Sequence, residues 1–98
     1  MSESKRGYYR KGEKKNIHKN RIKEEMLKNG WTFSSHYSNS QETYEKDAPK
    51  FGTKNIVLLG PRITRVITGP YSNHINKSFN TCEIIWSDIE QLIKEAWE

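Results

Sequence analysis

The chain has one cysteine, Cys82, which excludes an internal disulfide and makes a reducing compartment the simplest setting. No apolar run approaches the roughly 20 residues of a membrane span. The basic start is not followed by an apolar h-region, so no secretory leader is expected and the chain is read as cytoplasmic. Apolar residues are scarce, at 33% of 98 against 30% charged. That supply is thin for 98 ordered residues, so part of the chain is expected to stay unfolded.

Motifs that carry chemistry are also missing. The three histidines, His18, His36 and His74, have no second ligand at zinc-type spacing, and Cys82 stands apart from them. The alternation around Cys82 puts it beside Ile84 and Trp86, where an inert core thiol is expected. Gly52, Gly60 and Gly69 are not followed by Lys-Ser or Lys-Thr at phosphate-loop spacing. Glu42, Glu45 and Asp47 could serve a metal-dependent nuclease, but they fall in a polar stretch read as a loop, which holds ligands poorly. The expectation is a protein without cofactor, metal or catalytic residues.

What the chain does have is segregated charge. Residues 1–21 carry Lys5, Arg6, Arg10, Lys11, Lys14, Lys15, Lys19 and Arg21 against Glu3 and Glu13, a net of +6. Residues 22–98 carry nine basic and ten acidic side chains, so the whole excess of +5 sits at the N-terminus. Such asymmetry is the usual footprint of a nucleic-acid-binding tail. Tyr8 and Tyr9 lie between Arg6 and Arg10, and aromatics among cations stack on unpaired bases. Arginine-rich segments commonly order on RNA, which favours RNA over duplex DNA as partner. The bland alternative is a solubilising tail. Arg62 and Arg65 are a second candidate basic surface, set against ordinary strand-surface charge.

The rest reads as one small domain over residues 16–98, preceded by a disordered basic arm over 1–15. Ile17, Ile22, Met26 and Leu27 trace a partial helical stripe from about Asn16, and Asn29-Gly30 supplies a stop. Trp31, Phe33 and Tyr37 alternate with polar residues as a strand. Residues 38–50 read as a loop. Ile56 to Leu59 forms a short buried strand, and Ile63, Val66 and Ile67 fall on a third strand framed by Gly60-Pro61 and Gly69-Pro70. Residues 71–80 read as a loop, and Cys82, Ile84 and Trp86 alternate as a fourth strand. Ser87 with Glu90 makes a capping box for a C-terminal amphipathic helix on Ile89, Leu92, Ile93, Ala96 and Trp97. The fold expected is α+β, with a mainly antiparallel four-stranded sheet and one helix at each end.

The order of several short words resembles a known group. Arg6-Gly7-Tyr8-Tyr9-Arg10-Lys11 leads into a charged helix. Asn29-Gly30-Trp31-Thr32-Phe33-Ser34-Ser35 follows, then Tyr44, then Phe51-Gly52 and the apolar strand at residues 56–59. Over roughly residues 5–59 this looks like phage-encoded anti-CRISPR proteins that inhibit type II effector nucleases. The resemblance implies a non-enzymatic inhibitor acting in the cytoplasm of a bacterial host, its basic arm touching guide RNA or lying in a nucleic-acid channel. A general nucleic-acid-binding accessory protein fits the charge pattern equally well. A small nuclease is the third alternative.

Overall fold

The computed structural model describes residues 11–36 and 41–98, with side chains from Ile17 onward. Lys5, Arg6, Tyr8, Tyr9 and Arg10 of the expected arm, and Tyr37, lie outside the described residues. The element order is α1 (Lys11–Lys28), β1 (Thr32–His36), β2 (Glu42–Asp47), β3 (Lys54–Leu59), β4 (Ile63–Thr68), a short 3-10 turn (Tyr71–Asn73), β5 (Ile75–Asn80) and α2 (Trp86–Trp97). The strands pair antiparallel in chain order, as a five-stranded meander. The α+β class and the two helices agree with the expectation. The strand count does not, and α1 begins at Lys11, ahead of Asn16.

Two strands were hidden in the expected loops. β2 reads Glu-Thr-Tyr-Glu-Lys-Asp, with Tyr44 its one buried side chain. On Tyr44's face the neighbouring positions are Glu42 and Lys46, which meet polar partners instead of apolar ones, so no hydrophobic alternation survives. Pairing with β3, Tyr44 opposite Val57, supplies the ladder instead. β5 is an edge strand whose alternation is broken by Lys77 between Ile75 and Phe79. A lysine on an edge strand discourages pairing with another chain, and the bulge between Phe33 and Ser35 does the same for β1.

The expected fourth strand at residues 81–86 is instead a turn leading into α2, whose first residue is Trp86. Thr81 fixes it. Its buried hydroxyl donates to the Gly60 carbonyl at 2.7 Å and lies 2.8 Å from the Thr64 hydroxyl, while its N–H donates to the Arg62 carbonyl at 2.8 Å. The chain then folds back, with Glu83 N–H donating to Asn80 O at 3.0 Å. Ile84 and Trp86 enter the core as the helix approaches, not as sheet residues. Cys82 is exposed, which corrects its expected core position. The cap also moves: α2 starts at Trp86, and Asp88 Oδ2 accepts the Ile85 N–H at 3.3 Å, so Ser87 and Glu90 lie within the helix.

Both helices pack on one face of the sheet. Cross-strand partners share a face, so Tyr44, Val57 and Val66 form one inward row, with Leu59 beside them. Ile22 and Met26 from α1, and Trp86 and Ile89 from α2, close the core over that row, with Trp31 and Ile84. Each such side chain contributes about 1.5–3 kcal/mol by leaving water. Trp31 meets Trp86 edge to face, with centroids 5.6 Å apart. The opposite face carries Thr43, Glu45, Ile56, Leu58, Arg65 and Ile67, pointing away from the helices.

α1 ends as Asn29-Gly30 anticipates. Gly30 takes φ +86°, its N–H donates to Leu27 O at 3.4 Å, and Trp31 N–H donates to Met26 O at 3.0 Å. That double closure is a Schellman motif, with Trp31 and Met26 as its apolar pair. Gly69 is equally constrained: φ is +97°, and a Cβ there would sit 2.7 Å from Asn73 O.

Candidate nucleic-acid interface

α1 is amphipathic in charge more than in apolarity. Ile22 and Met26 face the sheet, while Ile17, Asn20, Arg21, Glu24, Leu27 and Lys28 are exposed. Seven-residue spacing brings positions Lys14, Arg21 and Lys28 to one side of the helix, with Lys11 one turn before Lys14. The basic sequence therefore continues into a folded helix over Lys11, Lys14 and Lys15, instead of stopping at the edge of a tail.

Lys19 is different. Its side chain is only 12% exposed, and its ammonium lies 3.4 Å from Glu42 Oε2. Lys23 approaches Oε1 of the same carboxylate at 3.8 Å, and the Tyr44 hydroxyl donates to Oε1 at 2.7 Å. Glu42 is thus a shared acceptor that ties α1 to β2. Burial alone would raise its pKa, but the Tyr44 hydroxyl and the Lys19 and Lys23 charges outweigh that and hold it below the usual carboxylate range. Burial, reinforced by the adjacent carboxylate, pushes the Tyr44 phenol well above its ordinary value. Of the candidate cations with described side chains, Lys19 serves this junction and Arg21 faces solvent.

The other candidates scatter. Arg62 is exposed in the β3–β4 turn, and Arg65 is exposed on the sheet face turned away from α1. The sheet separates Arg65 from the helix. The three histidines lie apart: His18 half-buried on α1, His36 at the end of β1 with Phe33 5.1 Å away, and His74 after the 3-10 turn.

The carboxylates also diverge. They stand on a strand, not in a loop, and β2 sends Glu42 to the helix face and Glu45 and Asp47 to the other. Lys54 binds Glu45 at 3.0 Å and Asp47 at 3.5 Å. Hydrogen bonds from Lys54 and Ser34 keep Glu45 below its usual value, and Glu45 in turn raises Lys54. The sheet thus separates Glu42 from Glu45 and Asp47, Lys54 occupies the latter two, and among the described residues no three His, Cys, Asp or Glu side chains gather as a metal site.

Two grooves border α2. A cleft of about 440 Å³ lies between α1 and the start of α2, lined by His18, Arg21, Glu25, Cys82, Ser87 and Glu90 among others. A wider groove of about 960 Å³ between α2 and the end of β2 includes Trp31, Trp86 and Trp97. Trp97 is anchored, its indole N–H reaching Asn55 Oδ1 at 2.9 Å and Thr68 Oγ1 at 3.1 Å. The Trp86 indole N–H is buried and has no hydrogen-bond partner among the described residues.

The sequence reading missed three features. Glu42 looked like one acid in a polar loop, and nothing local announced its lysine partners 19 and 23 residues earlier. Phe51 and Tyr71 stand fully out in solvent on two turns. Phe51 did carry a signal, since an aromatic between Lys50 and Gly52 sits in turn chemistry, not in an alternating strand. Comparison with protein-family models, with curated proteins and with solved structures found no match to this chain.

Proposed function

We propose that this chain is a non-enzymatic binding protein that grips a nucleoprotein through its basic N-terminal region. In its sharpest form it is a phage inhibitor of a type II CRISPR effector nuclease, with that region on RNA or in a nucleic-acid channel, inside the bacterial cytoplasm. The observation that carries the reading is the segregation of charge: +6 over residues 1–21, continued as helix from Lys11 and fastened to a near-neutral body at Glu42. A body with nine basic and ten acidic residues is a poor polyanion clamp by itself. It is suited to choosing a protein surface while the basic segment supplies electrostatic attraction.

The test compares the wild-type chain with a variant carrying Arg6→Gln, Arg10→Gln, Lys11→Gln and Lys14→Gln. Each is assayed for capture of a guide-loaded type II effector, of the effector without guide, and of free RNA. The proposal expects tight capture of the loaded effector by the wild type and weak capture by the variant. Steeply salt-dependent binding of free RNA, with no preference for the effector, supports the general accessory reading instead. Capture of none of them by the wild type, or equal capture by both proteins, would sink it.

A further inference from the structure

Phe51 and Tyr71 contribute nothing visible to the core. They are 102% and 89% exposed, as open to water as in an unfolded chain. Phe51 sits in the β2–β3 turn, which Thr53 closes by donating its N–H and its hydroxyl to Lys50 O at 3.1 and 2.6 Å. Tyr71 opens the 3-10 turn between β4 and β5, closed by Asn73 N–H on Pro70 O at 2.8 Å. Both rings are therefore carried on hydrogen-bonded turns and, among the described residues, stand open to solvent.

The topology brings the two turns to one end of the sheet. β3 begins where β4 ends, and Thr68 Oγ1 donates to Asn55 Oδ1 at 2.6 Å across that junction. The last turn of α1 reaches the same end, where Lys46 Nζ donates to Asn29 O at 2.7 Å. Residues 48–54 and 69–75 contain no aspartate or glutamate, while Lys50, Lys54 and His74 are all exposed there. Lys54 is engaged by Glu45 and Asp47, which leaves Lys50 as the cation beside Phe51. Asp47, 90% exposed, borders this turn but is drawn to Lys54, so exposed aromatics beside the Lys50 cation remain, the composition of a stacking platform for unpaired bases.

We infer that Phe51 and Tyr71 form a second contact for single-stranded nucleic acid, bases stacking on the two rings and the Lys50 ammonium meeting a phosphate. This deepens the reading above and rests on it only for the class of partner. The platform lies at the C-terminal end of α1, roughly 25 Å from Lys11 along the helix. A strand held at both places would run along the molecule, fixed electrostatically at one end and by stacking at the other.

The test is fluorescence anisotropy of a labelled 12-nucleotide oligouridylate at several salt concentrations. A 12-base-pair duplex serves as the comparison probe. Full-length variants are Phe51→Ala, Tyr71→Ala, Phe51→Leu, Phe51→Trp and the four-glutamine N-terminal variant. Because both rings are solvent-exposed, these turn variants should keep the wild-type circular dichroism. Phe51→Ala and Tyr71→Ala are each expected to weaken oligouridylate binding by about 5-fold or more, with the salt slope unchanged. Phe51→Leu should behave like alanine, Phe51→Trp should retain affinity, and duplex binding should respond weakly.

Unchanged affinity in both alanine variants overturns the inference. So does full affinity in Phe51→Leu, which would mark an apolar anchor for a protein pocket. Loss in the turn variants with no loss in the N-terminal variant supports the platform and removes the basic-region reading, so the two failures are told apart.

Discussion

The two helices lie on the same face of one sheet, yet they are held there by different physics. α1 carries seven basic and three acidic residues and buries Ile22 and Met26. Its hold on β2 is completed by the Glu42 cluster, which depends on charge. α2 carries one basic residue, Lys94, and three acidic ones, and buries Trp86, Ile89 and Ala96. It is fixed at its far end by Trp97 on Asn55 and Thr68. The lesson is a division of labour. α2 is a structural helix held by apolar burial, by the Asp88 cap and by the neutral hydrogen bonds of Trp97. α1 is a cationic helix that docks through Ile22 and Met26, with the Glu42 carboxylate balancing Lys19 and Lys23.

The largest expected break in that contrast comes from the core. Ile89→Ala removes a fully buried α2 side chain and should lower unfolding free energy by about 2–5 kcal/mol, read by urea denaturation. The loss should be nearly independent of salt. Glu42→Gln should lower it less, by about 1–2 kcal/mol, because Lys19 loses its nearby carboxylate in a site of low exposure.

The same residue sets a pH signature. The folded pKa of Glu42 lies below its unfolded value, so its contribution is present above about pH 4.3 and lost as the pH falls through the depressed folded value. The Glu42→Gln variant should therefore lose less stability than the wild type over that acid range, measured as denaturation midpoints from pH 6 to pH 3.

A smaller effect sharpens the picture of α2. Trp97→Phe deletes an indole N–H that binds Asn55 and Thr68, and should lower unfolding free energy by about 1 kcal/mol beyond the effect of lost ring area. Trp86→Phe removes an indole N–H with no hydrogen-bond partner among the described residues, so its cost should be confined to lost packing.

How much of this was readable in advance follows from where each signal lives. The C-terminal helix was legible because Ile89, Leu92, Ile93 and Ala96 follow helical spacing, and the end of α1 because Asn29-Gly30 is a local stop. β3 was legible from its short apolar run, and β4 from a β-branched run between Gly60-Pro61 and Gly69-Pro70. β2 was not, because its inward Glu42 and Lys46 are satisfied by Lys19, Lys23 and the Asn29 carbonyl, partners far away in sequence. Residues 81–86 misled because their alternation places Ile84 and Trp86 in the core under a helix, through a turn held by the Thr81 hydroxyl. The basic stretch was plain from composition, while the separation of Lys19 from Arg21 needed the fold. Phe51 and Tyr71 needed it too, since only the topology shows two distant turns at one end of the sheet.

The central claim is that charge over the first 21 residues, continued along α1, contacts a polyanion. The most direct measurement is the salt dependence of oligouridylate binding by the wild type and by the four-glutamine variant. Log affinity should fall linearly with log salt, and each lost phosphate contact should flatten the slope by about 0.7. The account predicts a visibly flatter slope and weaker binding in the variant. Identical slopes and affinities in the two proteins would contradict it.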